Sequence, residues 1–341
     1  MKKIFSNIVI SIVAVVLIVF FLEVALRLTA PLHFTGFTDA YQYDSDLGYR
    51  AMPGHHLSLT DYQQELQVNH YGTINYQENF REYKNLIFAV GDSYTQGTGL
   101  YSDASYPFQL DLMLNIDRNG GKHKIKYSKE YGVVNLGLAA YGAEQEYLVL
   151  KRYISLIGKP DIVLYMGCDN DATDDALFRS GIRHKNIVKG NPEYGALYYP
   201  INFIFNKTET GKRIRYIIQE KIIRKSAKKE SMINLTNQSV AQRQIDVINK
   251  IIDLAKNNNS KIILSWAETG HSYEWLKQWS HENNIAFADW QPVVNEISNN
   301  LKALEMKNPH SGRHYRTWVN SMVALSFKHE IEKIRKAEQG E

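Results

Sequence analysis

The chain has 341 residues, 44% of them hydrophobic and 22% charged, with a formal net charge of +4. That length carries one large domain or two modest ones with ample material for a core. The small net charge gives no argument for nucleic acid, and the single cysteine, Cys168, excludes an internal disulfide framework and a cysteine-rich metal site.

Met1-Lys2-Lys3 precedes Ile4 to Leu22, a stretch of 19 residues broken only by Ser6, Asn7 and Ser11. An α-helix needs about that length to cross the hydrocarbon core. A cleaved signal peptide also begins with lysines, but its apolar region is shorter, roughly 7–15 residues, and ends in a small-x-small site. Glu23, Val24, Ala25, Leu26 and Arg27 follow here without such a site, so an uncleaved anchor over residues 1–29 is expected. Lys2 and Lys3 then stay cytoplasmic, which places the rest of the chain outside the cytoplasm. Residues 30–84 are aromatic and polar without a sustained period, as expected of a juxtamembrane region that packs on the main domain. Within them VNHYGTINYQEN reads as a short strand and turn.

From residue 85 the pattern alternates. Asn85–Val90 (NLIFAV) and Gly132–Leu136 (GVVNL) read as buried strands, Glu144–Ile157 as a helix, and Asp161–Met166 (DIVLYM) as a third strand. Val247, Ile248, Ile251, Ile252 and Leu254 give helical spacing across Asn237–Asn259, which an asparagine run stops. Lys261–Trp266 (KIILSW) is a fourth strand, Ser272–Asn283 a helix and Ile285–Ala288 a fifth strand, and two helices close the chain with His310 in the loop between them. Strands alternating with helices predict an α/β fold, a doubly wound and mainly parallel sheet covered on both faces. An insert from about 172 to 237 breaks the alternation. Its second half, Lys207 to Lys229, carries nine Lys/Arg against two Glu. It suits either a solvated helix with an ordinary core face or a lid or basic helix near anionic headgroups or an acidic polymer.

In such sheets ligands bind beyond the carboxyl ends of the strands. Ser93, in AVGDSYTQGTG, and Asn170, in PDIVLYMGCDND, both fall just past a strand end. Known motifs fail here. Gly91-Asp92-Ser93-Tyr94-Thr95 lacks the second glycine of a nucleophile elbow, Gly97 is followed by Thr98 rather than a P-loop lysine, and Asp169, Asp171 and Thr173 echo a calcium loop that lacks its glycine and its final glutamate.

What remains is an ordered set: FAVGDSYTQGTG, then VVNLGLAAYGAEQ, then PDIVLYMGCDND, then NPHSGRHYRTWV. In this order the chain resembles the SGNH (GDSL) hydrolase superfamily from about residue 85 to 325. The anchor followed by DLGYRAMPG and VNHYGTIN resembles its membrane-anchored bacterial members. The resemblance implies a flavodoxin-like five-stranded sheet and a serine nucleophile, Ser93. It also implies an oxyanion hole made of the Ser93 N–H, the Ala140 N–H and the Asn170 side chain. The catalytic histidine would be His310, with His314 the nearby alternative. The family's aspartate two or three residues before that histidine is replaced by Asn308 and Lys307. Asn308, Glu305 or a backbone carbonyl would have to orient the ring.

The residue types suit the chemistry. A serine that attacks an ester needs a base, and a tetrahedral oxyanion needs fixed N–H donors. No metal or organic cofactor is required. Three functions stay open at this level. The first is a membrane-anchored, extracytoplasmic serine ester hydrolase that removes O-acyl groups from a glycan or lipid. The second is an O-acyltransferase for a cell-surface polysaccharide, which the resemblance would pair with a multi-pass membrane partner. The third is a catalytically silent binding or scaffold module, suggested by the missing aspartate.

Overall fold

The computed structural model describes residues 2–31, 41–59, 64–117, 126–185, 188–218, 239–302, 304–309, 311 and 314–340. Helix α1 (Lys2–Thr29) is long and apolar enough to cross a membrane, as an anchor or as a signal sequence, and its apolar window is not buried against the rest of the protein. Two short antiparallel ribbons follow, Tyr41–Asp44 with Gly48–Ala51 and His56–Leu59 with Gln64–Gln67.

The centre is a five-stranded parallel sheet of β1 (Asn85–Gly91), β2 (Tyr131–Asn135), β3 (Ile162–Gly167), β4 (Lys261–Trp266) and β5 (Ala286–Phe287), in the order 2-1-3-4-5. Strands β2 and β3 are buried at every residue, as runs covered on both faces must be. Around them pack α2 (Ser93–Gln96), α3 (Tyr106–Asn115), α4 (Ala143–Leu156), α5 (Asp171–Arg179), α7 (Ile245–Asn257), α8 (His271–Glu282), α9 (Gln291–Asn300) and α10 (Thr317–Gln339), while α6 (Glu209–Tyr216) packs against α1. The spacing read over 237–259 is realised in α7, which buries Val247, Ile248, Ile251, Ile252 and Ala255. Each of the buried valine and isoleucine side chains contributes about 1.5–3 kcal/mol by leaving water.

Tyr41, Leu47, Tyr49, Leu66, Val68, Ile74 and Phe80 lie in the same buried cluster as the sheet, so the described residues between 41 and 80 share its core. The strand expected in VNHYGTINYQEN is absent. Asn69 closes a turn there instead, its Oδ1 accepting from the N–H groups of Tyr71 and Thr73, and Asn75 reaches across to the Val133 carbonyl. Side-chain bonds to backbone compete with strand pairing at such residues. Of the basic stretch 207–229, the described part forms α6, and residues 219–238 lie outside the described residues.

Register lines up the site. Gly91 pairs with Met166 and Gly167 with Trp266, so β1, β3 and β4 end side by side. Strand order reverses between β1 and β3, the switch point at which such sheets bind ligands.

Candidate active site

Strand β1 ends at Gly91, and the chain turns at once into α2. Asp92 caps the helix: its Oδ1 accepts from the Tyr94 N–H at 2.9 Å. Gly97, with φ 82°, ends the helix after four residues. Ser93 is the first residue of this short helix, so its N–H has no intrahelical acceptor. Its side chain lies at the strand mouth, 8% exposed.

The ring that meets Ser93 belongs to His314. Its Nε2 lies 2.8 Å from Ser93 Oγ, and its Nδ1 lies 2.5 Å from the Ser311 carbonyl oxygen. Nδ1 has only a carbonyl to face, so it carries the hydrogen and donates, which leaves Nε2 as an acceptor for the Ser93 hydroxyl. His310, the first choice from sequence, lies outside the described residues. The position on the serine goes to His314 because Ser311, three residues earlier, turns its carbonyl onto the ring.

The two side chains expected to orient the base do other work. Asn308 donates from Nδ2 to the Gly99 carbonyl at 2.7 Å, and its N–H bonds the His314 carbonyl at 2.8 Å. It holds the backbone of the loop rather than the imidazole. The Glu305 carboxylate pairs with Arg316, and the Glu305 carbonyl accepts from Trp318 Nε1 at 3.0 Å.

Asp92 was not singled out by sequence reasoning beyond its place in the motif. Its Oδ2 lies 2.9 Å from Ser93 Oγ, 3.0 Å from Cys168 Sγ and 3.4 Å from Asn170 Nδ2. One hydroxyl hydrogen cannot serve both Asp92 and His314. The Ser93 hydroxyl can donate to one of them at a time, to Oδ2 or to Nε2 of a neutral ring. Burial holds the His314 pKa below the ordinary histidine value, and Lys307 pushes the same way. The Ser311 carbonyl and the charge of Asp92 oppose them. A ring kept neutral near neutral pH is the form a general base needs.

The expected oxyanion donors are placed as follows. Ala140 sits in the loop after β2 with φ 62°, a left-handed conformation that glycine adopts more readily. This loop lies on α2: the Ala139 N–H donates to Gln96 Oε1, and a Cβ on Gly137 would meet the Gln96 nitrogen at 2.4 Å. Asn170 precedes α5. Its Nδ2 donates to Asp174 Oδ2 at 2.6 Å and makes the long 3.4 Å contact to Asp92 Oδ2, while its Oδ1 faces the Cys168 thiol at 2.7 Å. One amide hydrogen is therefore engaged and the other is loosely held beside Ser93.

Beneath the serine lies a buried acidic layer. Burial, and then the charges of Asp171, Asp92 and Asp175, push the Glu146 carboxyl well above its usual range. Burial and the charge of Asp92 do the same to Asp171, and burial raises Asp175 to about 7. Asp92, Cys168 and Asp171 bring three ligand atoms within 4.8 Å of one another. Burial and the neighbouring carboxylates push the Cys168 thiol well up, and a thiol ligates a metal only after losing its proton. The far wall is aromatic. Tyr94 packs against His314 at 5.0 Å and against Tyr315 at 5.3 Å between ring centroids, and Lys307 lies over Tyr315 at 3.7 Å.

No family model and no curated protein matches the chain. Solved structures do. A member of the lipolytic protein G-D-S-L family from Veillonella parvula is 12% identical with a TM-score of 0.40, over 72% of this chain and 96% of that one. TesA is 10% identical with a TM-score of 0.41, over 73% and 98%. A GDSL-like lipase from Bacteroides thetaiotaomicron is 14% identical with a TM-score of 0.35, over 74% and 89%. Two of these titles name the family whose motif order the sequence resembles. What the site can do follows from its own geometry.

Proposed function

We propose that the protein is a serine ester hydrolase working through an acyl-enzyme on Ser93, with His314 as its base. The observation that carries this reading is the chain Ser93 Oγ to His314 Nε2 at 2.8 Å and His314 Nδ1 to the Ser311 carbonyl at 2.5 Å. His314 takes the hydroxyl proton as Ser93 Oγ attacks the acyl carbon. The Ser93 and Ala140 N–H groups and the loosely held hydrogen of Asn170 receive the oxyanion. His314 then protonates the leaving alcohol, and a second hydroxyl, from water or an acceptor, is activated by the same ring to release the acyl group. The imidazolium formed in each half is balanced by the Ser311 carbonyl dipole and the carboxylate of Asp92. Charge reaches the base from the nucleophile's side of the site, which answers the missing aspartate.

Helix α1 as an uncleaved anchor would hold the catalytic domain outside the cytoplasm, with an acylated glycan or lipid as substrate. The test is acylation of the full chain by p-nitrophenyl acetate, followed by mass of the Ser93 peptide. The parent forms the adduct, Ser93→Ala and His314→Ala do not, and His310→Ala does. An adduct retained in His314→Ala and lost in His310→Ala refutes the assignment of the base. No adduct in the parent makes the protein a silent module. Turnover that appears only when a glycan is added makes it an acyltransferase.

A further inference from the structure

Helix α1 does not end in a free tether. Its last turns are clamped to the insert. Glu23 accepts from the N–H groups of Glu209 at 2.7 Å and Thr210 at 3.0 Å, and from Thr210 Oγ1 at 3.1 Å, and so closes the start of α6 with a side chain from another helix. Arg27 bonds Glu23 at 2.8 Å and the Lys207 carbonyl at 2.7 Å, and Arg213 reaches the Ala30 carbonyl. Glu23 is the first charged residue after the apolar stretch, which is where a spanning helix leaves the hydrocarbon and meets the headgroups. Whatever is fixed to Glu23 is fixed at that depth.

The segment fixed there holds, among the described residues, the densest run of exposed apolar side chains outside α1. Among the described residues, fifteen large apolar side chains beyond α1 are exposed, and seven of them fall between Leu197 and Ile218. Tyr199 is 72% exposed, Phe203 61% and Ile217 47%. Scattered exposed apolar residues are ordinary, but a patch of them marks a contact surface. Of the four Lys/Arg in 207–218, Lys207 is exposed, Lys212 and Arg213 are partly exposed and Arg215 is buried; the charge that reaches the surface has the sign that suits anionic headgroups.

We propose that the surface from Leu197 to Ile218 lies on the anionic lipid surface from which α1 emerges, a second membrane contact beside the anchor. The proposal rests on α1 being retained and spanning the bilayer. Continuity with the apolar helix selects the occupant: a surface latched at the headgroup level beside a spanning segment meets lipid before any soluble partner. Aromatic and aliphatic side chains enter the boundary of headgroups and acyl chains, and Lys207, with the exposed parts of Lys212 and Arg213, faces the lipid phosphates.

The experiment uses the full chain in phosphatidylcholine–phosphatidylglycerol vesicles containing lipid with a doxyl quencher high on the acyl chain. Single labels are placed by Phe203→Cys, Tyr199→Cys, Val13→Cys and Leu156→Cys, each carrying an environment-sensitive fluorophore. The native Cys168 is fully buried and takes no label in the folded protein. Quenching at 13, 199 and 203 but not at 156 is expected. Quenching at 13 alone overturns the second contact and leaves the anchor standing. Quenching at 199 and 203 without 13 overturns the anchor, and with it the proposal of a second contact beside it. Equal quenching at 156, or none at 199 and 203, overturns the proposal.

Discussion

Gly99→Ala tests whether the Ser311 carbonyl holds the base. Gly99 has φ 83°, and its carbonyl receives Asn308 Nδ2 at 2.7 Å. A methyl group there would meet Ser311 Cβ at 2.1 Å and Ser311 Oγ at 2.6 Å, and contacts below 3.0 Å are not sustained. Ser311 must move by nearly an ångström, and its carbonyl carries the Nδ1 end of His314 with it. A misplacement of about 1 Å costs about 10²-fold in rate, equivalent to about 2.7 kcal/mol of transition-state stabilisation. The left-handed alanine costs a further 1–2 kcal/mol or so of stability. The two effects separate with a control. Gly54→Ala has nearly the same backbone strain, φ 70°, with nothing within 4 Å of the new methyl, so it loses stability and keeps its rate. Pre-steady-state acylation and urea unfolding read the two quantities. A Gly99→Ala rate within about threefold of the parent, under 1 kcal/mol on the same scale, alongside a stability loss equal to that of Gly54→Ala, would falsify the role given to the carbonyl.

Four further outcomes follow. His314→Ala lowers the acylation rate by as much as about 10⁶-fold, the scale on which a nucleophile–base unit fails when one member is removed, whereas His310→Ala changes it little. The pH profile of acylation rises through a pKa below 6.5, since the folded His314 is held neutral by burial. Asp92→Asn removes a charge that raises this value and shifts the inflection further toward acid, and Lys307→Ala shifts it toward alkali. Asp175 works in the opposite sense on stability. Its carboxyl is raised from 3.8 to about 7, so the unfolded chain releases the proton first, and stability falls as pH rises from about 4 to 7. At roughly 1.36 kcal/mol per unit the contribution is at most about 4 kcal/mol, and the fall should flatten in Asp175→Asn when thermal unfolding is followed across that range. Ala140→Gly relieves a left-handed alanine but adds freedom to the unfolded chain, for a net gain of about 0.5 kcal/mol in urea unfolding.

The sheet was legible because its strands are short apolar runs between polar helices, and the register that brings Ser93 beside Asn170 follows from strands ending at Gly91 and Gly167. The base was harder to read. The segment NPHSGRH offers two histidines and no aspartate ahead of either to choose between them, because the group on the His314 ring is a carbonyl, and every residue has one. The signal available was the spacing of Ser311 and His314, three residues apart, at the family's separation with the wrong side chain. Asp92 was hidden differently. Its identity is plain in the motif, but its cap to Tyr94 and its contact with Ser93 Oγ use the two different oxygens of one carboxylate, an arrangement set by the turn and not by the letter. The strand expected near Tyr71 failed because Asn69 bonds its own backbone, a local choice that hydrophobic spacing does not record. Ala140 was placed correctly in the loop after β2, yet its φ could not be read from its letter.

That divided carboxylate ties two kinds of failure together. Oδ1 secures the first turn of a four-residue helix, and Oδ2 meets Ser93 Oγ in that same turn. All four residues of that helix are buried, so the turn opens only when the loops packed on it open. Such an opening releases Ser93 and the Asp92 carboxylate together. Loss of Ser93 acylation on heating should therefore begin with that local opening.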